Sequence, residues 1–87
     1  MKSMEMQLLD NALDALDGLY DQKLRVVDLW ALLLATSEAM RDTLHYGKLV
    51  APVEELLVIA KSGESEETMG RRALIASDPL RKYLASL

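Results

Sequence analysis

The chain contains no cysteine and no phenylalanine. Without a thiol there is no disulfide, no thiolate metal site and no cysteine nucleophile. That fits a reducing compartment. With one Trp and three Tyr as its only aromatics, the core has to be built from Leu, Ala, Val, Ile and Met. An excess of positive charge is also missing. The net charge is -4, which argues against nucleic acid or an anionic membrane as the main partner. No apolar run approaches the roughly 18 residues of a membrane span. The start, Met1-Lys2-Ser3-Met4-Glu5, lacks the apolar core and small-residue cleavage site of a signal peptide. Strand-like alternation, internal repeats, low-complexity tracts and dividing linkers are absent as well. These absences lead us to expect a soluble, cytoplasmic protein, with residues 1–87 forming one helical domain.

What is present is an apolar middle. From Leu29 to Ala35 no residue carries a charge, and Leu and Ala, both strong helix formers, dominate. A helix apolar on all sides must be covered on all sides. The stretch Asp28–Met40 therefore reads as the central helix of an all-α bundle of about four to five helices, with every other segment packed on it.

The remaining elements follow in order. Ser3 caps a first helix running to Tyr20, with Leu9, Ala12, Leu13, Leu16, Leu19 and Tyr20 as its apolar stripe. A turn over residues 21–25 leads through Val26-Val27 to the central helix. There Asp28 is expected as the cap, with Val27 stapled against Leu32. That helix is expected to end at Gly47, with Met40 and Leu44 facing in and Glu38, Arg41, Asp42 and His45 facing out. Pro52 opens a third helix, with Val53, Leu56, Leu57 and Ala60 buried. Ser65 opens a fourth through Met69, Ala73 and Ala76. Asp78-Pro79 is expected to break it and to cap a last helix with Leu80, Tyr83, Leu84 and Leu87 inward.

Charge is unevenly placed. Residues 1–45 hold eight acids against four bases, and residues 46–87 hold six of each. Asp10, Asp14, Asp17 and Asp21 recur at helical spacing on the first helix. Like charges so placed cost a few tenths of a kcal/mol per pair in an isolated helix, about 0.2–0.5. Asp is also a poor helix former, so the stripe is not there for helix stability. Two readings stay open: a solvated face, the usual meaning of a charge run, and a docking surface for a basic partner. A calcium site is not indicated, because its loop needs alternating ligands, a fixed Gly and a terminal Glu. His45-Tyr46 with Arg41 could supply a base and an anion holder. No Cys, Ser or Asp is placed to join them, and a surface His at a helix end is common. Trp30 is either a core anchor or an interface residue, and its apolar neighbours favour the core. Arg71-Arg72 and Arg81-Lys82 read as mixed surface pairing with nearby acids. Met1, Met4 and Met6 read as flexible filler.

The segment Leu16-Asp17-Gly18-Leu19-Tyr20-Asp21-Gln22-Lys23-Leu24-Arg25-Val26-Val27-Asp28-Leu29-Trp30 resembles the openings of small bacterial immunity proteins. These neutralise toxins in contact-dependent growth inhibition and colicin-type systems. The shared style is an acidic helix, a short turn and a Val-x-Asp-Leu approach to a buried helix. The resemblance implies a cytoplasmic binding protein without catalysis or cofactor, whose partner is a cognate toxin, a nuclease with a basic surface. Asp10, Asp14, Asp17 and Asp21 would meet that surface by mimicking phosphate charge, with Glu38 and Asp42 assisting. The competing expectation is a self-associating helical adaptor.

Overall fold

A computed structural model describes residues 3–87, and the expectation for Met1 lies outside the described residues. Five helices follow in order: α1 Met4–Tyr20, α2 Val26–Ala39, α3 Tyr46–Val50, α4 Val53–Ala60 and α5 Glu66–Ala85. No strand occurs among the described residues. The protein is an all-α bundle. Four helices form a ring in which α1 packs on α2, α2 on α4, α4 on α5, and α5 back on α1. The one-turn α3 packs against α2, α4 and α5.

Spacing explains most of this. On α1 the residues Leu9, Ala12, Leu16 and Leu19 are buried, at gaps of three and four. Ser3 caps the helix by accepting from the Met6 amide. The helix ends in a turn in which the Lys23 amide donates to the Gly18 carbonyl at 2.8 Å and the Gln22 amide to that of Leu19 at 3.1 Å. Such a turn needs a left-handed residue, usually Gly. Here Gln22 takes that conformation, at φ 61°. Tyr20, expected inside, is 60% exposed at this end.

α2 is the centre of the ring in only one sense. It touches every other helix, and so does α5. Its inner stripe of Val26, Leu29, Leu33, Thr36 and Ser37 is buried. Trp30, Leu32 and Leu34 are half-buried against the core, while Ala31 and Ala35 are exposed. The expectation that Leu29–Ala35 is wrapped on all sides is therefore corrected. Small alanines tolerate water, so a run without charges was read as wider than its buried face.

The ends of α2 also differ from expectation. Arg25, not Asp28, occupies the cap position and makes no side-chain cap, while Asp28 sits in the first turn. Val27 is 40% exposed and staples nothing shut. The helix stops at Ala39 rather than Gly47. Thr43 holds the stop: its hydroxyl donates to the Met40 carbonyl at 2.8 Å and accepts from the His45 amide at 3.2 Å. Two faces swap as a result. Leu44, expected inside, is 95% exposed. His45, expected outside, keeps only 16% of its side chain exposed. Gly47 lies inside α3.

α4 follows Pro52, which stands at its cap. Val53, Leu56 and Ile59 are its buried stripe, while Leu57 and Ala60 are half-buried. Gly63, at φ 75°, turns the chain toward α5. Ser65 caps α5 by accepting from the Thr68 amide. Contrary to expectation, Asp78-Pro79 neither breaks α5 nor caps a new helix: Pro79 lies inside it. Proline removes the bond to the carbonyl four residues back, here that of Ile75. Ile75 is 77% exposed, and Pro79 too lies on the outer side of the helix. Lys82 and Asp78 pair across the same turn at 2.9 Å. Ala73, Ser77, Leu80 and Leu84 form the buried stripe, and Leu87, expected inside, is 55% exposed. Gly70 interrupts α5 at a cost of about 1 kcal/mol relative to Ala. No atom stands within 4 Å of the place its Cβ would take.

The half-wrapped α2 makes a paired prediction. Leu33→Ala should destabilise by about 2–5 kcal/mol in denaturant unfolding. Ala35→Glu, on the same helix, should stay within about 0.5 kcal/mol of the parent. A large loss from Ala35→Glu would mean that α2 is covered on its outer side too.

Candidate protein-binding surface

Helical geometry puts the α1 aspartates together. At about 100° per residue, Asp10, Asp14, Asp17 and Asp21 fall within roughly 60° of arc, on the side away from the Leu9–Leu19 stripe. The fold then treats them differently. Arg81 on α5 reaches across to Asp17, with its Nε donating at 2.9 Å, and its guanidinium lies 5.1 Å from the Tyr20 ring. Asp10 is not free either. Asp14 and Asp21 are exposed, without a recorded partner, about 10 Å apart along the axis. Of the two helpers expected beyond α1, Glu38 meets Arg41 at 3.8 Å, and Asp42 is exposed. Of the four aspartates in the expected stripe, Asp14 and Asp21 are thus left open, Asp17 is engaged by an arginine and Asp10 is also engaged.

The wider charge pattern adds to this. Every arginine has a carboxylate partner: Arg25 with Glu66 at 3.3 Å, Arg41 with Glu38, Arg71 with Glu67 at 4.0 Å, Arg72 with Glu64, and Arg81 with Asp17. Arg71-Arg72 and Arg81-Lys82 are therefore parts of mixed pairs. Among the described residues, the carboxylates left without a recorded ion pair or hydrogen bond are Asp14, Asp21, Asp28, Asp42, Glu54 and Glu55. The cations left over are Lys23 and Lys61, while Lys48 stands 5.7 Å over the Tyr83 ring. Exposed ion pairs are worth about 0–1 kcal/mol each. Their consequence for a partner is arithmetic: they cancel the arginines and leave a surface whose remaining charge is mostly acidic. Asp28, Glu54 and Glu55 were not among the expected binding residues. In the sequence Asp28 read as a helix cap and Glu54 and Glu55 as first-turn acids, and either role reads as local helix compensation.

A second polar group fixes how the acidic helix sits. His45 Nε2 lies 3.1 Å from Glu5 Oε1, and His45 Nδ1 lies 2.6 Å from the Tyr83 hydroxyl. An ionised carboxylate only accepts, so Nε2 carries a proton toward Glu5. In the neutral ring Nδ1 then accepts from the Tyr83 hydroxyl. Three separate elements meet here: the start of α1, the segment after α2, and the end of α5. Both ring nitrogens are engaged within the fold, so His45 serves as a clasp. Glu5 is exposed and stands four residues before Leu9, on the same side of α1 as the buried stripe. That spacing was the available clue to a contact across the bundle. Nothing in the sequence pointed to Tyr83 as its indirect partner.

Tyr83→Phe should cost about 1 kcal/mol of stability, the usual net worth of such a bond. Combined with Glu5→Gln, the loss should fall short of the sum of the single losses, because both act through His45. Strict additivity in a double-mutant cycle would contradict the clasp.

No protein-family model, no curated protein and no solved structure matches this chain.

Proposed function

We propose that this protein is a non-catalytic inhibitor of the immunity-protein kind, which neutralises a toxin domain by covering its basic surface. One observation supports this reading above the others: the arginines are all paired within the chain, and the carboxylates that remain are exposed. Asp14 on α1 and Asp21 at its C-terminal cap lead the interaction, with Asp42 on the segment after α2. Asp17 contributes through its pair with Arg81, which a partner's cation can share. A nuclease domain fits the other side, because it holds nucleic acid on a cationic surface. Carboxylates presented at about 10 Å intervals on a rigid helix occupy that surface in place of phosphates. No helix is long and apolar enough to cross a membrane among the described residues.

Charge of this kind acts mainly on encounter and partner choice. Opposed potentials raise association rates well above the neutral range of about 10⁵–10⁶ M⁻¹s⁻¹, and salt removes the gain. The reading is tested with the toxin domain encoded beside this chain, if the neighbouring frame carries one. The double variant Asp14→Lys/Asp21→Lys should fold as the parent does and lose tenfold or more in affinity, mostly in the association rate. Raising salt from low to molar concentration should erase the difference. An unchanged dissociation constant in the double variant would remove the acidic face from the interface.

A further inference from the structure

A concavity stands at the C-terminal end of α1. It is a groove of about 720 Å³ between the α1–α2 turn and the first turns of α5. That volume is within the range of ligand clefts, about 300–1,000 Å³. Its apolar strip is made by Tyr20, Leu24, Val26 and Leu74. Tyr20 is 60% exposed and Leu24 and Leu74 are half-buried, so the strip is open to an incoming chain.

The polar lining is unlike the rest of the surface. In a protein of net charge -4, the groove holds three cations, Lys23, Arg25 and Arg71, against two acids, Glu66 and Glu67. Arg25 and Arg71 pair with those two acids, and Lys23 is left over. Two helix starts also line the groove, Val26 of α2 and Glu66 of α5, and no side chain caps the first. Acids in their first turns, Asp28 on α2 and Glu66 and Glu67 on α5, offset the dipoles, so the start of α2 offers amide donors and Lys23 the surplus charge. The place is therefore suited to an anionic group lying next to an apolar one.

Two local features keep the groove open. Gly70 lines it in the second turn of α5, with nothing within 4 Å of where a Cβ would stand. No contact inside the protein requires glycine there, yet the helix bears its cost. Gln22, with φ 61°, holds the turn that presents Lys23 and Arg25.

We propose that this groove binds a peptide segment of a partner protein in which an apolar side chain adjoins a carboxylate. The apolar side chain lies on Leu24 and Leu74 over Gly70. The carboxylate meets Lys23 and the uncapped start of α2. This inference does not depend on the role proposed for the acidic face, which selects the opposite charge.

The test is selection of a random twelve-residue peptide library displayed on phage against the immobilised full chain. Expected are enriched sequences with Asp or Glu beside Leu, Ile or Phe. Their synthetic peptides should lose tenfold or more in affinity on Lys23→Glu and bind Gly70→Leu undetectably. Circular dichroism and thermal melting verify that both variants fold, and Gly70→Ala, which fills less space, should be intermediate. Enrichment of basic sequences, peptides indifferent to both variants, or no enrichment at all would each overturn the proposal. So would sedimentation showing that a second copy of the chain already fills the groove.

Discussion

Everything in this fold depends on the burial of one narrow stripe on each helix against the others. Leu16 on α1, Leu29 and Leu33 on α2, Leu56 and Ile59 on α4, and Ala73 on α5 are each 0–1% exposed. With no Phe available, this aliphatic layer has to supply the stabilisation, at roughly 25 cal/mol for each Å² removed from water. A stripe so narrow leaves most of every helix outside. The acidic side of α1 and the alanine side of α2 are consequences of that geometry. The same constraint makes α5 the counterpart of α2, since each touches all the other helices.

The polar contacts refine what the apolar stripe begins. The stripe of α1 runs on to Glu5, where the core has ended. His45 reaches that half-exposed carboxylate because α2 stops early and the following segment turns the imidazole inward. Tyr83 then ties the ring to α5. Once the clasp is closed, the start of α1 is fixed against the opposite end of the chain, and the carboxylates farther along α1 are held at set positions. A surface that is rigid before a partner arrives loses less freedom on binding, which is the usual advantage of preorganisation.

Much of this was legible in the residues. The caps at Ser3 and Ser65, the stripe on α1, and the all-α class followed from short-range rules, and each depends on neighbours within one or two turns. Most of the failures have a common cause. Whether Pro79 interrupts a helix and whether His45 turns inward depend on what stands across the bundle, while the Thr43 stop is a local competitor to the helix that spacing alone does not rank. The proline lies on the exposed side of α5, away from the packed stripe, and that exposure is a tertiary fact. The acidic stripe was visible as a pattern of spacing. The partner of Asp17, sixty-four residues later at Arg81, was not visible, because no local rule links a residue of α1 to one of α5. The groove over Gly70 was equally hidden. Its walls come from segments some forty residues apart, 19–26 and 66–74, and the glycine alone reads as a weak point in a helix.

Native-state hydrogen exchange of the full chain is the most direct measurement of the central claim, that the buried stripe of α2 holds the ring together. The amides from Leu33 to Ser37 should be among the last to exchange, and should do so only through global unfolding, with the same free energy as the denaturant transition. Exchange of those amides as fast as in the one-turn α3, or by a local opening well below the global free energy, would contradict the account.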